Sequence, residues 1–286
     1  MVAHNDPRLT LPQGGDRTRM QVTAGVVALR KAPQPDAEMV SQALGGETVI
    51  LHREEGEFGF VQNETDRYCG WALMAALSAP VLAPTHRVSA VRTYVYAQPS
   101  VKSAPIYMLS LGAHLVSEGI QDGNYIKCDR AGWVFHKHMA PLDQYEPDPA
   151  DVAARFEHTP YLWGGRESLG LDCSGLMQQA FGACGIILGR DSDMQAAWSG
   201  HAIADWDGAG ALRRNDLVFW KGHVGIMLDA DTLLHSNGFH MRVAAEPLSQ
   251  AIERIAPLYG APTGARRLDL DKARGGVPDW LTQPAL

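Results

Sequence analysis

One thiol and two imidazoles stand along this chain in an order suited to nucleophilic catalysis. Cys173 lies within Leu171-Asp172-Cys173-Ser174-Gly175-Leu176, Gly222-His223-Val224-Gly225 follows downstream, and His235 comes after that. A thiolate attacks carbonyl carbon, an imidazole takes and returns the proton, and a third group orients the imidazole. The elements that must position them are legible nearby. After Cys173, the residues Leu176, Met177, Ala180, Phe181 and Cys184 recur at spacings of three and four, the pattern of an amphipathic helix that Gly185 is suited to end. Asp172 then takes the N-cap. Cys173 falls in the first turn, where free N–H groups and the helix dipole are expected to lower its pKa.

The stretch from Leu217 to His235 reads as short strands joined by tight turns at Lys221-Gly222 and Asp229-Ala230-Asp231, with the two histidines on neighbouring strands. Opposed residues of an antiparallel pair come within hydrogen-bonding reach. His223 would accept the thiol proton on one ring nitrogen while His235 fixes its tautomer through the other. A zinc centre built from Cys173, His223 and His235 lacks the usual Cys-x-x-Cys or His-Glu-x-x-His spacing. His136 and His138 alternate along a predicted strand and so share a face, as a metal pair or, more commonly, as exposed strand residues. Cys69, Cys128 and Cys184 read as inert buried thiols. Along one helix Cys184 would lie about 16 Å from Cys173, too far for a disulfide.

Together with Pro160-Tyr161-Leu162-Trp163-Gly164-Gly165 ahead of the cysteine, this ordered set resembles the NlpC/P60 family of papain-like cysteine peptidases over residues 150 to 268. The resemblance implies Cys173 as nucleophile, His223 as general base, His235 as third member and Tyr161 as oxyanion donor, with no cofactor and no metal. Tyr161 also reads as a core tyrosine bonded to backbone.

Ahead of it lies a β-rich region that looks duplicated. Leu44-Gly45 is answered by Leu111-Gly112, Phe58 to Val61 by Asn124-Tyr125-Ile126, and Gly70-Trp71 by Gly132-Trp133. These segments resemble bacterial SH3-like domains. The expected organisation is α+β: an N-terminal segment 1–20, SH3-like barrels over 21–85 and 86–143, a linker from Asp143 to Asp151, and a papain-like catalytic domain over 150–286.

The chain of 286 residues is 45% hydrophobic with a net charge of −7, which argues against nucleic-acid and anionic-membrane partners. Residues 1–20 hold no apolar run of signal-peptide length, so a cytoplasmic protein with reduced thiols is expected.

Within the family, the chain resembles the subgroup that recycles murein peptides. That likeness implies a γ-D-glutamyl-L-diamino acid endopeptidase acting on short peptides such as L-Ala-γ-D-Glu-diaminopimelate with a free amino end. It places Tyr68, Asp172, Ser174, Asp191 and Ser192 at the substrate, although Tyr68 also reads as a surface strand residue and Asp191-Ser192 as a helix cap. An anionic peptide also calls for a cation, with Arg166 and Arg190 as candidates. The competing readings are a peptidoglycan amidase or other amide hydrolase, and a non-catalytic wall-binding protein.

Overall fold

A computed structural model describes residues 6–14, 17–207 and 210–282. The chain divides at residue 144 into two compact units. No helix among the described residues is long and apolar enough to cross a membrane.

The N-terminal unit is built from two β-modules. The first is one antiparallel sheet containing, among others, the strands Thr18–Val22, Met39–Leu44, Thr48–Glu55, Phe58–Asn63 and Cys69–Leu73. Its first strand starts before residue 21, because Thr18 to Gln21 pair with Leu51 to Thr48. The preceding segment also packs here, with Leu9 and Leu11 buried and the Arg8 carbonyl accepting from the Cys69 N–H. The second module spans His86–Val88 to Met139–Pro141.

Both modules close in the same way. A strand carrying Gly-Trp leads into one turn of 3-10 helix, Met74–Ala76 or His136–His138, and then into a short strand. Leu73 and Phe135, which precede these turns, adopt nearly identical backbone angles (φ −68, ψ 122 and φ −65, ψ 123). The glycine turns are also shared, with Gly46 (φ +78) and Gly112 (φ +84) both left-handed. The structural partner of Gly112 is thus Gly46, one residue beyond the sequence pairing. His136 and His138 lie in the 3-10 turn and not on a strand. At three residues per turn their side chains diverge, and His138 Nδ1 is engaged by Thr93 Oγ1 at 2.8 Å.

The modules are packed tightly against one another. Leu44 of the first belongs to the core of the second, with Val88, Val95, Leu109 and Val134, and the His114 N–H donates to the Gly45 carbonyl at 2.8 Å. A Cβ at Gly46 would lie 2.2 Å from the His114 carbonyl oxygen.

In the C-terminal unit a six-stranded antiparallel sheet runs in the order 201–202, 264–267, 217–220, 223–227, 232–237, 242–247. The helices Cys173–Ala183 and Leu248–Tyr259 pack against it. The segment expected to be a linker is part of this unit from Tyr145 onward. Asp148 is an N-cap whose carboxylate accepts from the Asp151 N–H, and Pro149 opens the helix Pro149–Ala154. Proline suits that position because its missing N–H would have no partner there. Tyr145 packs where a Gly185 side chain would project.

Replacing Gly46 by Ala combines a left-handed φ with a collision against backbone, and is expected to destabilise the protein by about 2–4 kcal/mol. Urea unfolding measures this. A change within about 0.5 kcal/mol, the range of an ordinary surface substitution, would contradict the close approach of the two modules.

Candidate active site

The helix Cys173–Ala183 begins at the cysteine, and its start is organised by one carboxylate. Asp172 Oδ1 accepts from the Gly175 N–H at 2.7 Å, from Ser174 Oγ at 3.3 Å and from Arg190 Nη1 at 3.1 Å. Its Oδ2 accepts from the Gly164 N–H at 2.9 Å and from Arg190 Nη2 at 2.6 Å. Arg190 Nη1 also donates to Ser174 Oγ at 2.9 Å. The Arg190 side chain is 1% exposed and that of Asp172 9%. Removing one member of such a pair leaves a buried charge uncompensated, at a cost of about 3–5 kcal/mol.

This cradle explains the glycine that follows the cysteine. A Cβ at Gly175 would sit 2.1 Å from the Gly165 carbonyl oxygen, and that same carbonyl accepts from the Asp172 N–H. The helix ends as the sequence predicts. Gly185 is left-handed, and the N–H groups of Gly185 and Ile186 return to the carbonyls of Gly182 and Phe181, a Schellman closure.

His223 and His235 lie on the adjacent strands His223–Met227 and Thr232–Asn237. Their rings meet through His223 Nε2 and His235 Nδ1 at 2.8 Å. The bond crosses Gly225, which shares their face of the sheet, and a Cβ at Gly225 would press on Leu233 and His235. The second glycine of Gly-His-Val-Gly therefore keeps the path between the imidazoles open. The Trp220 ring lies 5.7 Å from that of His223, opposite it in the strand pairing.

The chain of polar groups continues beyond His235 to two residues that the sequence did not single out. His235 Nε2 lies 2.7 Å from Glu246 Oε1, and Arg254 Nη2 donates to the same oxygen. Glu246 sits on the next strand, opposite Leu233, and so diagonally beside His235 on one face. Burial alone would raise its pKa, but hydrogen bonds from His235 and Arg254 outweigh that and bring the carboxyl down to about 2. His235, His240 and Glu246 each place one possible ligand atom within 4.8 Å of the others. Arg254 already supplies the positive charge at Glu246, so this cluster needs no metal to balance it.

The thiol differs from expectation. Burial pushes Cys173 up to about 12, and the Asp172 charge adds to the effect, while the Val224 N–H, Arg190 and the Ser174 N–H pull the other way. A helix start is worth about 0.3–1 kcal/mol at a surface, whereas full burial moves a pKa by several units. The resting group is therefore a neutral thiol. Its bond from the Val224 N–H sets the sulfur beside the residue that follows His223. Burial likewise holds His223 below its ordinary value, as does the facing His235.

Tyr161 is fixed from two sides, bridging to Leu171 and donating its N–H to the Met241 carbonyl. Burial and the nearby Cys173 raise its hydroxyl pKa, so it stays a donor. Asp191 occupies the N-cap of the helix Ser192–Trp198, but its side chain makes no capping bond. Arg166 and Arg190 are both buried, and Arg190 is committed to Asp172. Tyr68 belongs to the N-terminal unit, where it is 5% exposed and not a surface residue. Cys69 and Cys128 are buried, with thiols likewise raised to about 12.

Comparison with known proteins places this geometry in a recognised fold. The NlpC/P60 family pattern matches residues 158–254, a span that holds Cys173, His223, His235 and Glu246. This chain carries an NlpC/P60 domain. The pattern of the bacterial dipeptidyl-peptidase SH3 domain matches residues 29–77, within the first β-module. The chain is 27% identical over 228 residues to the gamma-D-glutamyl-L-lysine dipeptidyl-peptidase of Bacillus subtilis, covering 70% of this chain and 73% of the relative. It is 29% identical over 111 residues to dipeptidyl-peptidase 6 of Lysinibacillus sphaericus, covering 38% of this chain and spanning 40% of that protein. An NlpC/P60 family protein from Bacillus cereus superimposes with a TM-score of 0.72 at 21% identity, over 87% of this chain and 99% of that one. That likeness is one of fold, a papain-like NlpC/P60 domain behind an N-terminal SH3-like domain.

With its pKa near 12, the Cys173 thiol is predicted to react with iodoacetamide about tenfold faster per pH unit from pH 7 to pH 10, with no plateau. Peptide mapping by mass follows this at Cys173 separately from the other cysteines. A plateau beginning below pH 8 would show a resting thiolate and contradict the burial argument.

Proposed function

We propose that the protein is a cysteine endopeptidase that hydrolyses the γ-D-glutamyl–diamino acid bond of free murein peptides with an unblocked N-terminal L-Ala. The observation that carries the reaction type is the His223–His235 pair on a strand whose next residue, Val224, gives its N–H to the helix-borne Cys173. The substrate reading is supported by the gamma-D-glutamyl-L-lysine dipeptidyl-peptidase name of the Bacillus subtilis relative.

In this mechanism the Cys173 proton passes to His223 as the sulfur attacks the γ-carbonyl carbon. Coupling the two steps avoids a free buried thiolate, which the raised thiol pKa disfavours. Tyr161 donates to the oxyanion that forms, a contribution worth a few kcal/mol for one preorganised donor. The carbon–nitrogen bond breaks, His223 protonates the departing amine, and a thioester to Cys173 remains. Water then gives a proton to His223 and attacks the thioester, releasing L-Ala-D-Glu and restoring the thiol.

The substrate ammonium requires a carboxylate partner when it leaves water. The resemblance to the recycling subgroup places Asp191 and Ser192 at the substrate's amino end, and we assign that role to them, while Asp172 and Ser174 are engaged with Arg190. Short murein peptides are the proposed partners, and the mechanism calls on no cofactor.

The test is incubation with L-Ala-γ-D-Glu-diaminopimelate and L-Ala-γ-D-Glu-L-Lys, each with a free and an acetylated amino end, with products identified by mass. Release of L-Ala-D-Glu from the free-amine peptides alone, abolished in Cys173→Ala, is expected. Cleavage of the L-Ala–D-Glu bond instead would make the protein a different amide hydrolase, and no cleavage of any peptide would favour the peptidoglycan-amidase or non-catalytic wall-binding readings.

A further inference from the structure

Glu246 is a partly buried charge that the mechanism above does not use, placed at the end of an unbroken line of polar atoms. The line runs across three adjacent strands and onto the helix Leu248–Tyr259: His223 Nε2 to His235 Nδ1 at 2.8 Å, His235 Nε2 to Glu246 Oε1 at 2.7 Å, and Arg254 onto that same oxygen. The Phe239 ring backs the Arg254 guanidinium at 4.4 Å. The His235 side chain is fully buried and that of Glu246 is 11% exposed, so water does not compete freely for these atoms.

Proton bookkeeping along the line has one solution. An ionised carboxylate only accepts, so His235 must carry its proton on Nε2. In a neutral ring the Nδ1 atom is then an acceptor, and the proton between the two imidazoles must come from His223 Nε2. That leaves His223 Nδ1 unprotonated. We infer that Glu246 is a positioning residue: its carboxylate dictates the tautomers of both histidines, so that His223 offers a bare Nδ1 as its base. The inference rests on reading His223 as the base for Cys173.

The same carboxylate favours the imidazolium that forms when the thiol proton arrives. The charged and titratable groups around the pair are Glu246, which stabilises that cation, and Arg254 and His240, which oppose it. Replacing Glu246 by Gln removes the favourable charge and supplies an amide that donates as well as accepts. The imidazolium then loses its proton more readily, and the acidic limb of the kcat/KM profile moves to lower pH.

The experiment combines 15N NMR of the histidine rings in the full-length protein with the peptide assay. In the wild type both rings are expected to be protonated at Nε2 and bare at Nδ1. In Glu246→Gln mixed tautomers are expected, with kcat lower by about 10- to 100-fold, KM within about twofold, and the acidic limb shifted down. Three results overturn the inference: an Nδ1-protonated His235 in the wild type, unchanged ring shifts in the variant, or altered tautomers with an unchanged pH profile. The wild-type ring reading stands even if the variant does not fold. It also reports the tautomers whether or not the peptide is cleaved, so failure of the substrate reading is seen separately.

Discussion

The contact between Asp172 and Arg190 is the constraint on which the catalytic unit depends. One carboxylate holds the loop before the cysteine through Gly164, the first turn of the helix through Gly175, and the segment ahead of the next helix through Arg190. A charge pair at this depth gives little net stability against an apolar replacement. Its value is in geometry, because three segments distant in sequence are fixed to the two oxygens of the residue next to Cys173. The glycine at 175 follows from the same constraint, since the loop and the helix approach to a distance that admits no side chain between them.

The second half of the site is a line of hydrogen bonds rather than a cluster. Strand pairing sets its direction. His223, His235 and Glu246 occupy one face of three neighbouring strands, each stepping diagonally from the last. Gly225 leaves room for the first step, and the helix after the third strand delivers Arg254 to its end. A buried thiol and a buried imidazole each resist ionising alone. In the proposed mechanism both burial effects favour moving the proton only as the new carbon–sulfur bond forms, with the distant carboxylate stabilising the cation that results.

Features encoded locally were legible in the sequence, and features that need long-range pairing or burial were not. The helix start at Cys173, its Asp172 cap and its Gly185 ending are written within a few residues, as are the two histidine strands. Glu246 and Arg254 gave no local signal, because they reach His235 only through a three-strand register and a helix crossing. The segment 143–151 reads as a linker from Pro147 and Pro149, whereas in the structure Asp148 caps a helix that Pro149 opens. His136 and His138 were placed on a strand that in fact turns into a 3-10 helix. The thiol pKa departs from the sequence expectation for a physical reason. Sequence reveals the helix start that favours a thiolate, but only the folded structure reveals the burial that outweighs it.

The central claim is that Cys173 itself forms the covalent bond to the γ-glutamyl carbon, and acid quenching during turnover of L-Ala-γ-D-Glu-L-Lys followed by peptide mapping tests it most directly. An L-Ala-D-Glu acyl group attached as a thioester at Cys173, and released by hydroxylamine, is the predicted result. Turnover with no acylated cysteine at any quench time, or acylation at a different residue, would contradict it.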